Sequence, residues 1–231
     1  VQDHAVVKYE VRAPRIDQLM PIWERVVKVA EGAAHMTETK LTTELLMAFS
    51  DYYTNDALAR VASEALLEVG PPRWEESDYA LARQFLSTFG PETQQAARES
   101  IAETFGEDRV EELLARPLDP EVHPYDPDKP NHSFGSTDVG DVGYAVPTFN
   151  FNVATACLGN VGHSWQMTAQ AGSELAQKGM LQAAKAMALA ALMTAERPEV
   201  IEAAKAIVLR RNGGKYTCPL PDAVKPPIGR Y

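Results

Sequence analysis

Residues 5–12 read AVVKYEVR, and they alternate: Ala5, Val7, Tyr9 and Val11 share one parity, Val6, Lys8, Glu10 and Arg12 the other. Successive side chains of an extended chain point to opposite faces, so a period of two predicts a half-buried strand. Ala13-Pro14 closes it. From there the period changes. Ile16, Leu19, Met20, Trp23, Val26, Val27, Ala30 and Ala34 recur at three and four, the spacing of a helix with one apolar face. Pro21 is tolerated only in the first turn, which predicts a helix start between Asp17 and Pro21. Alternation returns in TETKLTTELLMAFSDYY, residues 37–53, through Leu41, Thr43, Leu45, Met47 and Phe49. Strand–helix–strand over 1–52 predicts an α/β molecule. Two strands make a poor sheet by themselves, so partner strands are expected from elsewhere. A chain that opens VQDHAVVKYE, without an initiator Met and directly into a strand, reads as a piece of something longer.

Beyond residue 53 the pattern is rich in helices. Thr54 or Asn55 can cap a helix striped by Leu58, Val61, Ala62, Ala65, Leu66 and Val69, and Gly70-Pro71-Pro72 stops it. Further helices are expected over about 77–89, 91–105, 107–115 and 173–194, with another opening at Arg197-Pro198 and ending at Gly213-Gly214. RPLDPEVHPYDPDKPNH, residues 116–132, predicts a surface loop. YAVPTFNFNVATACL, residues 144–158, predicts a strand with Pro147 near its start, and the tail from Lys215 is proline-rich and extended. No internal repeat is present.

Composition excludes several classes of function. The net charge is −10, and lysines and arginines form no cluster longer than Arg210-Arg211, so a nucleic-acid footprint is not expected. The longest apolar run, MLQAAKAMALAALM at 180–193, is too short for a bilayer and is interrupted by Gln182 and Lys185. Cys157 and Cys218 are too few for a zinc cluster or a disulfide framework, and read as reduced thiols of a cytoplasmic protein.

Chemistry concentrates in three stretches, HSFGSTDVGDVGYAVPT, GNVGHSW and the basic-amide stretch AQKGM. His163 sits between glycines and a helical pattern, a common placement for functional loop residues. A lone histidine is more often a hydrogen-bonded structural residue than a ligand, and a hydrolytic zinc needs about three protein donors. Asp138 and Asp141 lie three apart in a turn flanked by Gly135, Gly140 and Gly143. Turn chemistry accounts for most of that pattern. The functional alternative is that one carboxylate orients His163 or its neighbours through a hydrogen bond. His132 beside Pro130 is expected to be solvated, and Lys178 to be a surface residue or a partner of Glu174. His4, His35 and His123 belong to no constellation. No phosphate loop, nucleophile elbow or His-Glu-x-x-His occurs, so no catalytic residue is assigned.

The segments GSTDVGDVGYAVPT and GHSWQMTAQAGSELAQKGMLQAAKAMA, with the front segment VKYEVRAPRIDQLMPIWERVVKVAEGAAHMTET and the tail YTCPLPDAVKPP, resemble the two-metal aminoacylase and glutamate-carboxypeptidase family. Within it they are similar to the branch that cleaves p-aminobenzoyl-glutamate. The likeness runs over nearly the whole chain. It implies that residues 1–52 form the later part of an inserted lid, a dimerisation domain with an α+β fold. Residues 53–231 would then be the C-terminal part of a zinc-peptidase-like α/β catalytic domain. It implies a site of two zinc or manganese ions bridged by a carboxylate, with a glutamate as general base on the water that attacks an amide carbonyl. By position His163 corresponds to the one late ligand. The early cysteine/histidine cluster, bridging carboxylate and base glutamate have no counterpart here, so the resemblance implies a polypeptide inactive alone. Where many relatives carry Ser-acid-Asp, Thr137 stands between Ser136 and Asp138.

Two functions from different classes therefore stand as expectations. One is part of a metal-dependent amidohydrolase acting on a small acyl–amino-acid amide, assembled as a homo-oligomer through the lid. The other is a non-catalytic dimerisation or interaction module.

Overall fold

The computed structural model of the chain describes residues 2–129, 135 and 137–225. They group into two units, one drawn from residues 1–55, 130–149 and 204–231, the other from 56–129 and 150–203. Among the described residues the elements are nine α-helices and one 3-10 turn, and there is no strand. The α/β expectation is overturned, and with it both the strand–helix–strand lid and the zinc-peptidase-like α/β sheet. A strand exists only when a neighbour completes its hydrogen bonds; alternation shows which face could be buried and supplies no partner. Around residues 5–12 neither parity is covered, since Val6 is 73%, Val7 70% and Tyr9 72% exposed. Residues 39–50 and 147–158 likewise carry no strand pairing.

In the first unit, α1 (Ile16–Met36) begins one residue ahead of the expected window. Pro21 falls in its second turn, where it removes the donor that would reach the Asp17 carbonyl. The helix buries none of its residues. Seven of the eight predicted stripe positions are half-buried, but Met20, with Ile22, Val29 and Met36, is exposed. A short helix, α6 (Val139–Ala145), packs so closely on residue 50 that a Cβ at Gly140 would lie 2.1 Å from the Ser50 carbonyl oxygen. Only glycine fits there. Asn55, buried, donates its side-chain amide to the Ala204 carbonyl at 3.0 Å.

The second unit holds α2 (Asp56–Val69), α3 (Glu76–Ser87), α4 (Pro91–Phe105), α5 (Val110–Ala115), α7 (Trp165–Ala171) and α8 (Glu174–Ala195). α9 (Pro198–Asn212) starts in this unit and ends in the other. α2 packs on α8, and small side chains make that possible: Ala59, Ala62 and Ala65 are buried on one helix, Ala176, Gly179, Ala186 and Ala190 on the other. Gly179 is required, because a Cβ there would lie 2.1 Å from the Ala154 carbonyl. The core gathers Tyr79, Ala82, Leu86, Phe89, Ala97, Leu118, Cys157 and Leu175, with Ile101, Val110 and Leu113 as a second cluster. The proline-rich stretch after α5 is partly pinned rather than wholly a surface loop. Leu118 is fully buried, Trp74 donates to the Asp119 carbonyl at 3.0 Å, and the Tyr125 amide donates to the Ser63 hydroxyl at 2.9 Å. Among the described residues no helix is long and apolar enough to cross a membrane.

Candidate functional site

His163 ends a loop, residues 157–164, whose every turn is held. At its start the Leu158 amide donates to the Pro117 carbonyl at 2.9 Å and the Asn160 amide to the Cys157 carbonyl at 3.1 Å. Gly159, at φ +73°, lies so close to α4 that a Cβ would sit 2.2 Å from that of Ala97. The Asn160 side chain donates to the Val161 carbonyl at 3.3 Å and to the Met167 sulfur at 3.1 Å. At its end Ser164 caps α7: its hydroxyl accepts from the Met167 amide at 3.2 Å and donates to the Val161 carbonyl at 2.7 Å. His163 is thereby held at φ +55°, a left-handed conformation that residues with a Cβ rarely adopt, and its ring is exposed.

Two buried amides behind this loop carry no signal in the sequence. Gln166 donates to the Thr88 hydroxyl at 3.1 Å. Gln170, 0% exposed, accepts from the Cys157 amide at 2.8 Å and donates to Asn160 Oδ1 at 2.8 Å and to the Gln166 carbonyl at 3.2 Å. A glutamine inside a seven-residue helix reads by pattern as a solvated side chain; only the folded loop reveals what it holds. Trp165 lies next to the cap, 62% exposed, with its ring 6.3 Å from that of Phe85. Burial pushes the Cys157 thiol up to about 11, against the bond from Gln170, so it stays protonated and unreactive.

The carboxylates belong to the other unit. Asp138 is exposed at the start of α6, and its side chain makes no capping bond. Asp141 is engaged: it accepts from the Ser50 amide at 3.0 Å, the Ser50 hydroxyl at 2.5 Å and the Tyr216 hydroxyl at 3.1 Å. Burial, with hydrogen bonds to Cys218 and Asp141, raises the Tyr216 hydroxyl well above its ordinary range. A second node lies beside it. Asp51 accepts from the Ile16 amide at 2.9 Å, the Tyr144 hydroxyl at 3.2 Å and the Arg211 guanidinium. Arg211 also donates to Tyr144 at 3.0 Å and lies over the Tyr53 ring.

The remaining candidates take other places. Lys178 meets α3 instead of Glu174, with Nζ 2.6 Å from Asp78 and 3.2 Å from Glu75; the Asp78 bond raises its pKa. His123 pairs with Asp119 at 3.0 Å and edges against Phe105. His132 and Ser136 lie outside the described residues. Among the described residues no group of three or more His, Cys, Asp or Glu side chains could hold a metal ion. His163 is exposed at the end of its hydrogen-bonded loop and could supply at most one donor.

The chain is 38% identical over 191 residues to a subunit of the p-aminobenzoyl-glutamate hydrolase of Escherichia coli (strain K12), a match that takes in 81% of this chain and 40% of that protein. It is related to that polypeptide, and spans about two-fifths of the length of the curated relative it matches. No family model matches the chain. No solved structure matches it either.

Proposed function

We propose, with the relationship to that hydrolase as premise, that these residues are the C-terminal portion of a metal-dependent amidohydrolase that cleaves small acyl–amino-acid amides such as p-aminobenzoyl-glutamate. His163 supplies one metal donor. The observation that carries this is its backbone: an exposed imidazole held in a disfavoured conformation by a loop bonded at every turn. Zinc or manganese would lower the pKa of the attacking water and polarise the amide carbonyl. About three protein donors are needed, so the others, and the general base, come from polypeptide other than these residues. These residues alone are therefore inactive. Asp141 is framework of its own unit. Two free cysteines, one buried and one exposed, suit the cytoplasm.

The test is hydrolysis of p-aminobenzoyl-glutamate by the intact protein, loaded with Zn²⁺ or Mn²⁺. His163→Ala should lower kcat/KM by more than about 100-fold, since groups behind metal ligands already account for 10–100-fold. Wild-type turnover by that variant rejects the reading.

A second role rests on the exposed apolar residues that recur every seven along α1 and so share one face, Ile22, Val29 and Met36. We assign residues 1–52 to self-assembly, with 53–231 as the catalytic portion, and the occupant of that face is a second copy of the chain. Light scattering should give an oligomer that Val29→Glu with Ile22→Glu converts to a monomer.

A further inference from the structure

We infer that Gln170 is a positioning residue for the His163 imidazole, acting through Asn160. The inference rests on the reading of His163 as a metal donor. Gln170 is fully buried on α7, yet its amide oxygen and nitrogen both turn to the loop: the oxygen to the Cys157 amide, the nitrogen to Asn160 Oδ1 and, more weakly, to the Gln166 carbonyl. The bond to Asn160 settles which way the Asn160 amide faces, oxygen toward Gln170 and nitrogen toward the Val161 carbonyl. That carbonyl also receives the Ser164 hydroxyl. The carbonyl two residues before His163 is thus clamped from both sides, and the torsions between it and Ser164 are those that carry His163 to φ +55°. A fixed amide behind a ligand controls where the ring can reach, which is how groups behind metal ligands tune affinity.

The experiment uses the intact protein and Co²⁺ alone, read by competition with a chromophoric chelator and by the visible absorption of the bound ion. Gln170→Met and Asn160→Ala should each weaken Co²⁺ binding by about 10–100-fold and alter the spectrum. Asn160→Asp keeps the acceptor for Gln170 but loses the donor to the Val161 carbonyl, so it should weaken Co²⁺ binding as well. Should Gln170→Met fail to fold, the Asn160 pair decides alone. Wild-type affinity in Asn160→Ala or in Asn160→Asp overturns the inference. His163→Ala separates the two levels: wild-type Co²⁺ affinity in that variant sinks the ligand reading itself. A loss there with none in the Gln170 and Asn160 variants sinks only the positioning role.

Discussion

His163 carries a Cβ in a region of backbone space where L-residues lose about 1–2 kcal/mol, and glycine loses none. His163→Gly should therefore be more stable than His163→Ala by about 1 kcal/mol, read from denaturant midpoints. Equal stabilities would mean that the loop relaxes. Cys157 gives a pH test. Its thiol titrates near 9.0 in an unfolded chain and about 11 in the folded one, so the folded state holds the proton longer. The stabilisation is complete below pH 9 and lost as pH rises toward 11, on the order of 2 kcal/mol, and absent in Cys157→Ala. At pH 8 a thiol reagent should label Cys218, which is exposed, and spare Cys157. Of this site the sequence discloses the histidine and its glycines. It cannot disclose Gln170 or the Ser50–Asp141 bonds, because a hydrogen-bond partner 91 positions away leaves no local mark.

Two helices each stand on one glycine. Gly140→Ala in α6 and Gly179→Ala in α8 drive a methyl to about 2.1 Å from a carbonyl oxygen, and backbone must move. Each should lower stability by about 1–3 kcal/mol or more, whereas Gly162→Ala, with open space around it, should stay within about 0.5 kcal/mol. Thermal melts of the three variants check this. The long helices are legible because punctuation bounds them: Gly70-Pro71-Pro72 after α2, Gly90-Pro91 before α4, Gly106 after it, Arg197-Pro198 before α9. α6 and α7, seven residues each, are too short for a period of 3.6 to declare itself, and α6 is diluted by two glycines. The expected strands fail for a different reason. A period of two states an intention to pair, and residues 5–12 and 39–50 have no ladder to join.

At the scale of the molecule, Asp51 joins three separate stretches of chain, through the Ile16 amide, the Tyr144 hydroxyl and Arg211. Asp51→Ala strands a partly buried guanidinium and an orphan amide at the start of α1. It should cost about 3 kcal/mol. Hydrogen exchange should locate the loss: amides of α6 and of the first turn of α1 should lose protection, those of α3 and α4 should not. A matching loss in α3 would mean that the two units unfold as one.

Asp51 and Arg211 are 160 residues apart. A ribosome adding about 5–20 residues per second separates their births by something on the order of ten seconds. Through that interval the unit drawn from 56–129 and 150–203 can close while residues 1–55, bearing Val6, Val7 and Tyr9 in the open, wait for Arg211. Of these two units the one begun first is completed last, and the order of translation is not the order of folding.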